Sequence, residues 1–73
     1  MKKVKMQAVE SSNIDKIGYD KENQLLHVLF KHGTKTYVYK NVPNSMHVAL
    51  LNAPSIGSFF SSNIKGEYAF TTM

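Results

Sequence analysis

Apolar and polar residues alternate along the first part of the chain with the two-residue period of β-strands. Polar or glycine-containing turns separate the alternating segments, such as the turns 20–23 and 31–35. The pattern predicts four strands, at residues 6–10, 13–19, 25–30 and 36–42. Because short turns join the last three segments, we expect them to form an antiparallel meander.

The period changes after Val42. A helical stripe at i, i+3, i+4 and i+7 follows Pro43 and ends before Pro54; its members are Met46, Ala49, Leu50 and Ala53. A second helix is predicted from the N-cap residue Ser55, with apolar residues at Ile56, Phe59, Phe60 and Ile64. Gly66 is placed to end this helix, and residues 67–71 can form a last strand that returns to the sheet.

This order, ββββααβ, predicts an α+β fold class. We expect an antiparallel sheet of about four to five strands, covered on one face by two short helices. A chain of 73 residues has room for one domain, residues 1–73, with its core at about 9–68. Because the chain contains no cysteine, no disulfide bond can stabilise so small a core, and a homo-oligomer is a further expectation.

The charge balance favours an anionic partner. Nine lysines and no arginine face five acidic residues, which gives a net charge of +4. The absence of arginine argues against bidentate recognition of phosphate or guanine, and lysine also serves as a simple solubilising residue. The lysines near the start of the chain are not followed by the apolar run of a signal peptide. We therefore expect a cytoplasmic protein that does not contact a membrane.

The sequence predicts no catalytic centre. The three histidines, His27, His32 and His47, fall on a strand, a turn and a helix, without the spacing that places two metal ligands on one helical face. The serines lack a GxSxG motif, and no two carboxylates are predicted to lie together. We expect no catalytic residues, no metal and no cofactor, and interpret the chain as a binding module.

One stretch combines aromatic and basic residues in a way that can bind nucleic acid. Alternation places Tyr37 and Tyr39 on the same side of a strand flanked by Lys35 and Lys40. Sheet-borne aromatic rings stack nucleobases, and lysines neutralise phosphates. The candidate nucleic-acid-binding residues are Lys16, Lys31, Lys35, Tyr37, Tyr39 and Lys40. The alternative is that both tyrosines pack beneath the helices.

An ordered series of short motifs resembles the KTSC domain family. The motifs include Ile17-Gly18-Tyr19-Asp20, Tyr37-x-Tyr39 and Val42-Pro43; the others are Ser11-Ser12-Asn13-Ile14, Leu26-x-Val28-x-Phe30-x-x-Gly33 and Ser55-x-Gly57-x-Phe59-Phe60-x-x-x-Ile64-x-x-x-Tyr68. The family is named for its occurrence at the C-terminus of some lysyl-tRNA synthetases, and it also occurs as a stand-alone small protein in bacteria and phages. The resemblance implies no catalytic residues, and its link to a synthetase suggests RNA binding.

Two hypotheses for function follow. The first is a small non-catalytic module that binds RNA or another nucleic acid through the sheet lysines and the two tyrosines. The alternative is a protein–protein interaction adaptor or inhibitor of bacterial or phage origin, which binds a protein partner by a sheet edge or a helix face.

Overall fold

Five antiparallel strands form one sheet in the order in which they occur along the chain. In a computed structural model, which describes residues 4–33 and 35–72, the strands are β1 (Met6–Ala8), β2 (Ile14–Asp20), β3 (Leu25–Phe30), β4 (Thr36–Tyr39) and β5 (Phe70–Thr72). Residues 1–3 and 73, together with Thr34 of the predicted turn 31–35, lie outside the described residues. The α+β fold class and the order ββββααβ are confirmed.

Two helices, α1 (Asn44–Leu51) and α2 (Ile56–Asn63), connect β4 to β5 and pack on one face of the sheet. Their apolar side chains meet the strand residues that point to this face. The buried core contains Ile14, Ile17, Leu26, Val28, Tyr39, Val42, Leu50, Phe60 and Ile64. Since paired residues of antiparallel strands share a face, the registers Ile17↔Val28 and Val28↔Tyr37 define this helix-covered face.

The strand around the tyrosines is shorter than predicted. The segment 36–42 alternates throughout, but β4 ends at Tyr39 because Asn41 has a positive φ of 62°. The chain leaves the sheet there, and Val42 donates a backbone hydrogen bond to the carbonyl of Gln24 instead of extending the strand. The last strand is also displaced from the predicted 67–71 to Phe70–Thr72.

The buried side of α1 differs from the predicted stripe. Leu50 is fully buried and Met46 packs against the core, as expected, but Ala49 is exposed. His47 fills the corresponding part of the interface, because its ring stacks on Tyr19 of β2 with centroids 4.5 Å apart and planes at 11°. The hydroxyl of Tyr19 donates a hydrogen bond to the carbonyl of Val42. The stack of His47 on Tyr19 packs α1 against the sheet through two polar aromatic side chains.

Candidate functional site

The two tyrosines of β4 point to the helix-covered face of the sheet. Tyr39 pairs with Leu26 on one side and with Phe70 of β5 on the other. Tyr37 pairs with Val28 and Thr72. The predicted alternation therefore holds, and the face it selects is the one against which α2 packs.

Five aromatic rings on this face form a closed cycle of contacts. Centroid distances of 5.2–5.6 Å join each ring to the next, in the order Phe30, Tyr37, Phe70, Tyr39, Phe60 and back to Phe30. Three of these contacts are edge-to-face, which is a favoured geometry for aromatic pairs. They are Phe30–Tyr37, Phe30–Phe60 and Tyr39–Phe60. Phe70 is tilted over both tyrosines by 36–39°.

These rings line a cavity of about 530 Å³, which we call the aromatic cavity. Lys65 and His32 contribute polar groups to its wall. The complete lining is Asn13, Ile14, Phe30, His32, Tyr37, Tyr39, Gly57, Phe60, Ser61, Lys65, Gly66 and Phe70. An apolar aromatic wall with a few polar groups is the usual composition of a small-ligand site.

The rings differ greatly in how far a ligand can reach them. Tyr39 and Phe60 are only 3% and 2% exposed, so they form the floor of the cavity. Tyr37 is half-buried, and Phe70 is 51% exposed at the edge strand. Burial, with a further contribution from Tyr37, raises the pKa of the Tyr39 hydroxyl, which therefore stays protonated at neutral pH. Phe70 presents the most accessible surface of the five rings, and Tyr37 and Phe30 are partly exposed.

A second cavity, of about 760 Å³ and widely open to solvent, adjoins the first, and six of its thirteen lining residues are serines. We call it the serine cavity; its serines are Ser11, Ser12, Ser55, Ser58, Ser61 and Ser62. Lys31 and Glu10 are the charged residues in its wall. Asn13, Gly57 and Ser61 line both cavities, so the two lie next to each other.

The structure brings only part of the predicted interface together. Tyr37 and Tyr39 line the aromatic cavity, and Lys31 lines the serine cavity. Lys16 pairs with Ala8 and Leu29, which places it on the opposite face of the sheet. Lys35 and Lys40 are exposed at the two ends of β4 and line neither cavity.

The three histidines lie apart, as their sequence positions indicate. His27 is on the sheet face opposite the helices, paired with Gly18 and Val38. His32 lines the aromatic cavity, and His47 is stacked on Tyr19. Within residues 4–33 and 35–72, no group of three histidine or acidic side chains is placed to hold a metal ion. None of the described helices is long and apolar enough to span a membrane.

The residues that complete the aromatic cavity are not predicted by the sequence pattern. Phe30 and Phe60 were predicted strand and helix residues, and Phe70 belongs to the predicted last strand, but their meeting depends on tertiary contacts. The signal that pointed to Phe70 was its position in a strand expected to return to the sheet. Only the pairing of β5 with β4 places it beside Tyr39.

Comparisons with known proteins agree on the family. The KTSC domain model matches residues 10–68. A crystal structure of a KTSC domain protein from Yersinia pestis superimposes with a TM-score of 0.90 at 38% identity, covering 97% of this chain and 99% of that one. An uncharacterised protein of Stutzerimonas stutzeri is 38% identical over 65 residues, which are 89% of this chain and 90% of that protein.

A lysine–tRNA ligase of Nostoc punctiforme is 39% identical over 61 residues, which are 84% of this chain but only 11% of the ligase. The similarity is thus confined to a small part of that enzyme. The family model covers most of this chain, and two relatives match it over nearly their whole length. This chain belongs to the KTSC domain family.

Proposed function

We propose that the chain is a non-catalytic module that binds single-stranded RNA, with one base stacked at the aromatic cavity. The observation that carries the proposal is the half-exposed Phe70 ring, which contacts Tyr37 in a cavity whose wall includes Lys65. Exposed aromatic rings with a neighbouring cation are a common means of binding single strands.

The exposed surface of Phe70 supports this function because it lies in the wall of the aromatic cavity, whereas the similarly exposed Val48 lies outside both cavities. Its ring is held by contacts with both tyrosines of β4, so its orientation is fixed while one side stays open to solvent. A fixed aromatic platform loses little conformational freedom on binding. Stacking of a base on such a ring is worth about 1–3 kcal/mol in known complexes.

The charge of the chain supports an anionic ligand. The net charge is +4, and Lys65 in the cavity wall can contact the phosphate next to a stacked base. Lys35, exposed before β4, can add to the attraction at longer range. The lysine–tRNA ligase relative has an RNA substrate in its name, and the segment that resembles this chain is 11% of that enzyme.

The proposal is tested by measuring the affinity of a labelled oligouridylate for Phe70→Ala. Loss of the stacking ring is expected to weaken binding about 5- to 150-fold, the equivalent of one stacked base. Val48→Ala is the matched control, since Val48 is similarly exposed, at 47%, but lies on α1 outside both cavities. This control is expected to bind like the parent chain.

Binding that is undetectable at about 50 mM salt, or equal affinities of Phe70→Ala and Val48→Ala, would reject the proposal. The protein-interaction alternative predicts a different result. A specific protein partner would then be captured equally by the parent chain and by a Lys35→Glu, Lys40→Glu double variant, while the oligouridylate is not bound.

A further inference from the structure

The serine cavity has a composition suited to a sugar and its phosphate. Six serines line it, and a serine hydroxyl can donate and accept hydrogen bonds. The hydroxyls of Ser11 and Ser55 already accept hydrogen bonds from backbone N–H groups and keep mainly their donor for a ligand. Lys31 supplies a cation. Glu10, the acidic residue of the wall, can only accept hydrogen bonds when ionised. A ligand with both anionic and hydroxyl groups satisfies this set better than an anion alone.

Its position next to the aromatic cavity links the two sites. Asn13, Gly57 and Ser61 belong to both walls. A side chain at Gly57 would crowd this junction, because a Cβ atom there would lie 3.2 Å from the hydroxyl oxygen of Ser11. Because Gly57 has no side chain, the two cavities adjoin here without crowding the Ser11 hydroxyl.

We infer that the serine cavity binds the ribose–phosphate adjoining the base held in the aromatic cavity, and that its hydroxyl groups and Glu10 select RNA over DNA. This inference rests on the proposed function. Lys31 contacts the phosphate, while Glu10 and the serines contact the ribose hydroxyls. The 2′-hydroxyl is the group that distinguishes the two nucleic acids, and Glu10 is suited to accept its proton in a hydrogen bond.

The inference is tested with oligouridylate and oligodeoxyuridylate of equal length, which differ only in the 2′-hydroxyl. The parent chain is expected to bind the RNA about three- to tenfold more tightly, the equivalent of one hydrogen bond. Glu10→Ala is expected to remove this preference. Lys31→Gln is expected to reduce the slope of log affinity against log salt by about 0.7, the value for one phosphate contact on a single strand.

Lys21→Gln is the matched control for Lys31→Gln, because Lys21 is exposed in the turn after β2 and lines neither cavity. Its salt slope is expected to equal that of the parent chain. Circular dichroism of each variant verifies that its fold is intact before binding is compared.

The outcomes separate this inference from the proposed function. Equal affinity for the two oligomers, or an unchanged salt slope in Lys31→Gln, overturns the inference even though Phe70→Ala still weakens binding and the proposed function stands. Failure of the parent chain to bind either oligomer overturns both.

Discussion

Gly18 shows how a single residue fixes the position of an edge strand. It lies in the middle of β2, paired with Met6 of β1. A Cβ atom added at Gly18 would lie 2.6 Å from the sulfur of Met6, 2.7 Å from a methyl carbon of Val4 and 3.0 Å from the carbonyl oxygen of Lys5. The sequence predicts either a bulge or a close backbone approach at this glycine. The close approach is confirmed, and the bulge lies between Ile14 and Lys16 instead.

Gly18→Ala is therefore expected to lower the free energy of unfolding by about 1–2 kcal/mol. Overpacking of this kind costs about 1–3 kcal/mol, and the reduced freedom of the unfolded chain offsets part of it. Gly33→Ala is the matched control, since its Cβ would lie 3.8 Å from the nearest atoms of Phe30. Urea unfolding of both variants checks the expectation; a Gly18→Ala midpoint equal to that of Gly33→Ala would contradict it.

The tyrosine pair shows what alternation can and cannot predict. Alternation placed Tyr37 and Tyr39 on one face correctly, because successive side chains of a strand point to opposite sides. It left open whether the helices cover that face. Tyr39 is buried under Phe60, so its ring is not available for stacking, whereas Tyr37 remains partly accessible.

At the scale of elements, the two helices begin in different ways. Ser55 caps α2, and its hydroxyl accepts a hydrogen bond from the backbone N–H of Ser58 at 3.4 Å. Pro43 stands at the N-cap of α1 and offers no side-chain hydrogen bond. The N-cap of α2 was predicted from the residue type, since a serine before an apolar periodic segment favours a helix start.

Ser55→Ala is expected to destabilise the fold by about 0.5–1 kcal/mol, at the low end of the range for N-cap substitutions because the hydrogen bond is long. Ser62→Ala, on the exposed side of the same helix, is the matched control and is expected to have little effect. Thermal unfolding followed by circular dichroism compares the two variants. A melting temperature of Ser55→Ala no lower than that of Ser62→Ala would show that the cap contributes nothing.

Element ends were predicted less well than element types, for local conformational reasons. Asn41 continues the alternation of β4, but asparagine tolerates a positive φ, and it adopts one here. Ala49 has the right spacing for the core side of α1, yet His47 takes part of that interface through its stack on Tyr19. At Asn41 a turn conformation overrides the strand alternation, and on α1 a tertiary contact overrides the helical spacing of apolar residues.

At the scale of the whole molecule, two partly buried histidines make the stability depend on pH. Burial lowers the pKa of His47 below its ordinary value of 6.5. Burial also lowers the pKa of His27, against the opposing influence of the Asp20 carboxylate. Nε2 of His27 is buried with no hydrogen-bond partner among the described residues, so protonation there would leave a buried donor unsatisfied.

The free energy of unfolding is expected to fall as the pH is lowered below about 6.5. Since the folded-state pKa values are depressed, the unfolded chain binds more protons in this window, and stability present above pH 6.5 is lost on acidification. A His27→Gln, His47→Gln double variant is expected to have a shallower dependence. Urea unfolding across this pH range measures the slope, and an NMR titration midpoint of either imidazole at or above 6.5 would contradict the assignment.

The sequence by itself determined the class of the fold, the order of its elements and the shared face of the two tyrosines. These follow from the spacing of apolar residues, from the turn residues and from the helix-capping residues, which act over a few neighbouring positions. Only the tertiary structure decided which face the helices cover, how Phe30, Phe60 and Phe70 meet the tyrosines, and that the two cavities lie side by side at Gly57. Those features depend on pairing β5 with β4 and seating α2 on the sheet, which brings together side chains far apart in sequence.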